Sequence, residues 1–192
     1  MTNTSKALFS ALLIISSLAL LSAAGDGKFK LWDTNNKLTW DDYRDTVLVN
    51  SRRGALTSSG MHMSYKMSDD EVIVEAYSQM DPTKSWADSA KKSDRLLSHE
   101  QYHFNITEYW CRKFKKDISS AHFSMKNFKE KIADIQKGNA AESKEMQTLY
   151  DTETKHSIAK EEQKKWEAKI DDLLKKTEAF SDKSVSLTLK VN

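Results

Sequence analysis

The sequence predicts an α+β fold: a single domain with a small antiparallel sheet, one long helix carrying the candidate site, and two further helices. Three observations carry this expectation. Residues 61–67 and 184–191 alternate apolar and polar side chains with a period of two, as half-buried strands do. From residue 86 to 174 the apolar spacing becomes three and four, and that stretch contains no proline. No internal repeat, low-complexity block or Gly/Pro-rich linker divides the chain, so one domain is the economical answer.

Taken in order, residues 1–24 read as an export signal. A short polar start with Lys6 precedes an apolar run over 7–21, and Ser22-Ala23-Ala24 supplies a small-x-small cleavage pattern. The run is short for a membrane span, so 25–192 is expected as the mature, exported domain, periplasmic or secreted, with no stable membrane span. The formal net charge of +2, spread over interspersed charges of both signs, points away from nucleic acid as a partner. Cys111 is the only cysteine, so no internal disulfide forms; beside Trp110 and Phe114 it reads as a buried thiol.

Apolar pieces at 28–32 and 47–49 flank Leu38-Thr39-Trp40-Asp41-Asp42-Tyr43, a turn or short helical turn capped by Thr39 or Asp41. Met61, Met63, Tyr65 and Met67 mark one face of a strand; a turn at 68–70 and a returning strand over 71–80 complete a hairpin. After Asp81-Pro82, Ser85 with Asp88 resembles a helix start, which predicts a helix over 86–117. A second helix is expected over 118–135, stopped at Lys137-Gly138, and a third restarting at Asn139 and buried through Met146, Leu149, Trp166, Ile170, Leu173 and Leu174. The alternation over 184–191 closes the chain with a strand.

The first of these helices carries His99-Glu100-Gln101-Tyr102-His103. On a helix, His99 and His103 stand about 40° apart and can reach one ion, with Glu100 about 100° off that axis as a base beside it. Two neutral imidazoles, an open position and a neighbouring carboxylate are what a catalytic Zn²⁺ requires, and one more protein ligand completes the usual three. His156 is the best candidate, because it follows Leu149 by seven residues and so projects with it, within about 20°, toward the core. His62 and His122 are the alternatives; Glu108 lies about 140° around from His103 and cannot share the ion unless the helix breaks. Asp151 and Glu153 could orient an imidazole, and Tyr150 could donate to a developing oxyanion. Asn105-Ile106-Thr107 fits a glycosylation sequon but falls inside the site helix.

The run from His99 through Phe104-Asn105-Ile106-Thr107-Glu108 resembles the signature of a bacterial family of predicted secreted zinc-dependent proteases, zincin-like and otherwise of unknown function. The resemblance extends to Leu38-Thr39-Trp40-Asp41-Asp42-Tyr43, Thr57-Ser58-Ser59-Gly60, Asp81-Pro82-Thr83-Lys84-Ser85-Trp86, Tyr150-Asp151-Thr152-Glu153-Thr154-Lys155-His156 and Gln163-Lys164-Lys165-Trp166-Glu167, most of the mature chain. It implies peptidase-type zinc chemistry at His99, Glu100 and His103, and suggests His156 as third ligand. The family commonly has glycine after that histidine, where this chain has Ser157.

The expectation is therefore an exported zinc metallopeptidase acting on a peptide or protein substrate, with metal-activated water, Glu100 as general base, and an edge strand, taken as 71–80, aligning the substrate. The competing expectation is a non-catalytic exported binding module whose metal is structural or absent.

Overall fold

The hairpin forms the centre of the sheet. In the computed structural model, which describes residues 29–46 and 53–190, β3 (Ser59–Met67) and β4 (Glu71–Met80) pair antiparallel from Ser59 opposite Met80 to Met67 opposite Val72. The Ser68 amide closes their turn on the Glu71 carbonyl at 2.8 Å. The signal pattern of 1–24, the apolar piece at 47–49 and Val191 lie outside the described residues.

β4 is interior rather than an edge. Its second side is shared by β1 (Lys30–Leu31), beside Gln79 and Met80, and β7 (Ser184–Lys190), beside 71–75. β6 (Phe123–Ser124) then adds parallel to β7, so the sheet is mixed rather than purely antiparallel. Among the described residues no strand pairs with the outer side of β3, which is the open edge. Val72, Val74, Ala76, Ser78 and Met80 form the buried face of β4, and Glu71, Ile73 and Glu75 the exposed one, as strict alternation demands.

A second pairing, β2 (Ala55–Leu56) with β5 (Trp86–Ala87), changes where the long helix begins. Ser85 is not its cap: its hydroxyl donates to the Asp81 carbonyl and accepts from the Ser58 amide, which holds residues 86–87 extended. Ser93 is the cap instead, accepting from the Leu96 amide, and α1 runs Asp94–Ser120. It continues past 117 because Cys111, Phe114 and Ile118 form one stripe, buried against Val72, Val74 and Leu187 of the sheet.

The expected stop at Gly138 does not occur; α2 is a single helix, Phe128–Thr154. A glycine inside a helix costs about 1 kcal/mol relative to alanine. That cost is outweighed here by burial on both sides of it: Phe128 and Ile132 enter the sheet cluster, and Tyr150 packs with Ile106, Trp110, Trp166 and Ile170. The break comes later. Lys155, His156 and Ser157 all have left-handed backbone, with φ of 50°, 51° and 76°, and turn the chain into α3 (Lys160–Lys176). His156 therefore sits in a tight connection rather than on an inward helical stripe, and Leu149 is exposed. α1 lies at the centre, covered by the sheet, by α2 and α3, and by the 29–46 segment through Leu38, Tyr43 and Phe104. Among the described residues no helix is long and apolar enough to cross a membrane.

Candidate metal centre

Four donor atoms converge where α1 passes the end of α2. Asp151 Oδ1 lies 3.1 Å from His99 Nε2, 3.0 Å from His103 Nε2 and 3.0 Å from His156 Nδ1. The two α1 imidazoles stand 3.1 Å apart, nitrogen to nitrogen. His99, Asp151 and His156 offer ligand atoms all within 4.8 Å of one another, and His103 joins them through its contacts with His99 and Asp151. The helical spacing accounts for His99 and His103. His156 arrives because the left-handed turn after Thr154 folds back, its amide bonding the Asp151 carbonyl at 3.0 Å. Three consecutive left-handed residues without glycine carry strain of about 1 kcal/mol or more each, of the kind concentrated at functional sites.

The donor set fits a cation. Imidazole nitrogens facing one another at hydrogen-bond distance repel unless a proton or a metal ion lies between lone pairs. Ligand atoms bound at about 2.0–2.1 Å around a tetrahedral Zn²⁺ stand about 3.3 Å from one another, close to the 3.0–3.1 Å separations found. Gln147 supports this further. Its Oε1 lies 2.6 Å from His103 Nδ1, and its Nε2 donates to the His103 carbonyl at 2.9 Å, so the amide orientation places the ring proton on Nδ1 and turns Nε2 to the site. His99 Nδ1 is buried with no hydrogen-bond partner; that ring is held instead by stacking on Tyr150 at 4.6 Å.

The same contacts shift the acidities of the cluster. Burial pushes the Asp151 carboxyl up, but hydrogen bonds from His103 and His99 and the charge of His103 and His156 outweigh it and hold the group well below the usual range. Burial pushes His103 down, and the Asp151 hydrogen bond with the Glu100 charge reverses the balance, so its pKa is raised. For His99 burial prevails and its pKa is lowered. The cluster thus favours an ionised carboxylate at Asp151 and strengthens the hold of His103 on a proton.

Glu100 is 3 % exposed and lines the same cleft of about 50 Å³ as His99, His103, Asp151 and His156. Gly54, Ala55, Leu56 and Thr57 also line it. The other candidates are engaged elsewhere. Tyr150 is fully buried, its hydroxyl on the His99 carbonyl at 3.4 Å, so it supports the site from behind and does not line the cleft. Glu153 accepts from the Trp166 indole at 2.6 Å. Glu108 is bound to Arg112 at 2.7 Å. His62 stacks on Tyr77, and the His122 carbonyl accepts from Lys131.

Two contributors are not singled out as site residues by the sequence. Gln147 is one, although Gln147, Tyr150, Asp151 and Thr154 follow the three-four spacing of a single helical face. Thr57 is the other, donating to Glu100 Oε2 at 2.6 Å. No protein family, no curated protein and no solved structure matches the chain.

Proposed function

We propose that this protein is an exported zinc metallohydrolase, a peptidase in its simplest form. The observation that carries the reading is the convergence of His99, His103 and His156 on Asp151 Oδ1, in a cleft whose wall includes Glu100. Likeness of the motifs to the secreted zinc-dependent protease family supports it, as does the signal pattern of 1–24. The three imidazoles would hold Zn²⁺, which when bound polarises a carbonyl and acidifies water. Glu100 takes the proton of the attacking water and delivers it to the departing amine. Asp151 and Gln147 keep the imidazoles aimed. The open edge of β3, rather than β4, is the strand on which an extended peptide could pair.

One observation favours a second reading. Asp151 Oδ1 is as close to each imidazole as a fourth ligand would be. A four-donor tetrahedron is a closed, structural site, and the protein would then be a non-catalytic exported module. Hydrolysis of a broad peptide library separates the two. The zinc-loaded protein should cleave, chelation should abolish cleavage, and Glu100→Gln should keep zinc while losing about 10²-fold or more in rate. Cleavage by Glu100→Gln at the parent rate would remove Glu100 from the role of base.

A further inference from the structure

Three stretches far apart in the chain meet at the Glu100 side chain. Tyr43 comes from the segment after the 3-10 turn Trp40–Asp42, Thr57 from the residue following β2, and Glu100 from the second turn of α1. The Tyr43 and Thr57 hydroxyl oxygens are 2.8 Å apart, and Thr57 Oγ1 is 2.6 Å from Glu100 Oε2. Two of these three residues are inside the protein: Tyr43 is 9 % exposed, packed with Leu38, Met80 and Phe104, and Glu100 is 3 % exposed.

The chemistry of the donors sets the direction of this chain. An ionised carboxylate can only accept, so Thr57 gives its single hydroxyl proton to Glu100. Its approach to the Glu100 carbonyl, at 3.5 Å, is too long to compete. Thr57 then has only lone pairs left for Tyr43, and Tyr43 must donate. Burial and the Glu100 charge push the Tyr43 hydroxyl well above the usual phenol range, so it keeps its proton. The relay runs Tyr43 to Thr57 to Glu100 and cannot run backward.

We propose that Thr57, backed by Tyr43, is a positioning residue: it fixes Glu100 Oε2 and thereby sets how the other oxygen faces the cleft. Thr57 lines that cleft itself, together with the histidines. A general base must lie within hydrogen-bond reach of the proton it takes, and such a partner fixes a carboxylate that can turn about three side-chain bonds. The inference rests on Glu100 as the base. It adds that the base is aimed by the stretches containing Tyr43 and Thr57, neither of which supplies a metal donor.

The test uses Thr57→Val, Thr57→Ser, Tyr43→Phe and the Thr57→Val/Tyr43→Phe double variant of the full chain, read by two measurements. Thr57→Val should lower kcat by about 10- to 100-fold, the worth of a hydrogen bond to a charged group, with KM and zinc affinity unchanged. Thr57→Ser should restore kcat to within a few-fold of the parent, roughly. Unchanged kcat in Thr57→Val, or a loss that Thr57→Ser does not rescue, would overturn the proposal. The second measurement needs no substrate. Tyr43→Phe should lower Tm by about 2–4 °C in the parent but not in the Thr57→Val background, where the tyrosine hydroxyl has already lost its acceptor. Equal shifts in both backgrounds would show that no relay exists. If the parent hydrolyses nothing, the peptidase reading and the catalytic consequence fall together, while the thermal cycle still decides whether the two hydroxyls act as one unit.

Discussion

Asp151→Asn tests the account of the cluster without metal present. The substitution keeps the shape of the side chain and one carbonyl oxygen, but removes the negative charge from the point where three imidazole nitrogens lie at 3.0–3.1 Å. The carboxylate is only 19 % exposed and His103 15 %, so solvent screens the pair weakly. Losing the charge-assisted part of that interaction should cost about 2 kcal/mol. For a chain of this size that lowers Tm by about 4–8 °C. The cost depends on pH in a defined direction. The pKa of His103 is raised, so its contribution is complete below its unfolded value near 6.5 and disappears as pH rises through its folded value. That of Asp151 is lowered, so its contribution is present above about pH 4 and fades as pH falls below it. Thermal unfolding of chelator-treated parent and variant should therefore differ most between about pH 4 and 6.5 and converge at alkaline pH. A variant as stable as the parent throughout, or a difference that grows above pH 8, would refute the ion-pair account. In the presence of zinc the same variant should bind about 10- to 100-fold more weakly if Asp151 orients the ligands; a larger loss would indicate that it is one of them.

Further outcomes follow from the packing. Gly138→Ala fills open space on a continuous helix, so it should raise stability by about 1 kcal/mol and Tm by about 2–4 °C; a loss would mean that the helix needs the glycine. The Cys111 thiol is fully buried and pushed up to about 12 by burial, so a thiol reagent at pH 8 should modify it slowly in the native protein and fast once unfolded. Rapid native labelling would contradict the packing of α1 on the sheet.

The returning strand of the hairpin and the terminal strand were legible because each presents one buried face, and a period of two then appears directly in the residue pattern. Met61, Met63 and Met67 of β3 are partly buried against the same cluster that those faces enter, and show the same period. The helix limits were less legible, for identifiable reasons. Ser85 has the composition of a cap, but its hydroxyl is used by Asp81 and Ser58, while Ser93 caps α1. Gly138 has the composition of a stop, yet apolar residues before and after it are buried in two separate clusters and carry α2 through. The turn after Thr154 has no glycine or proline to mark it; Ser157 stands at φ 76°, a conformation glycine adopts freely. The glycine common at that point in the family whose motifs the sequence resembles was the one available hint. His156 was selected on the premise that it lay on a helix; it reaches Asp151 through a loop. Asp151 was expected as a neighbour of the site and lies among its donors. Thr57 and Tyr43 could not be connected to Glu100 from sequence, since only the fold brings residues 43 and 57 apart in sequence over the same turn of α1.

The central claim is that three histidines from two separate stretches bind one ion, and zinc titration of matched variants tests it most directly. The parent should bind one Zn²⁺ per chain tightly and gain Tm with it, by mass action on the folded state. His156→Ala should lose both the tight binding and the thermal gain. Glu108→Gln is the control, chosen over alanine because it leaves buried Arg112 an acceptor, and should retain both. Tight zinc kept by His156→Ala and lost by Glu108→Gln, or no tight zinc in the parent, would contradict the account.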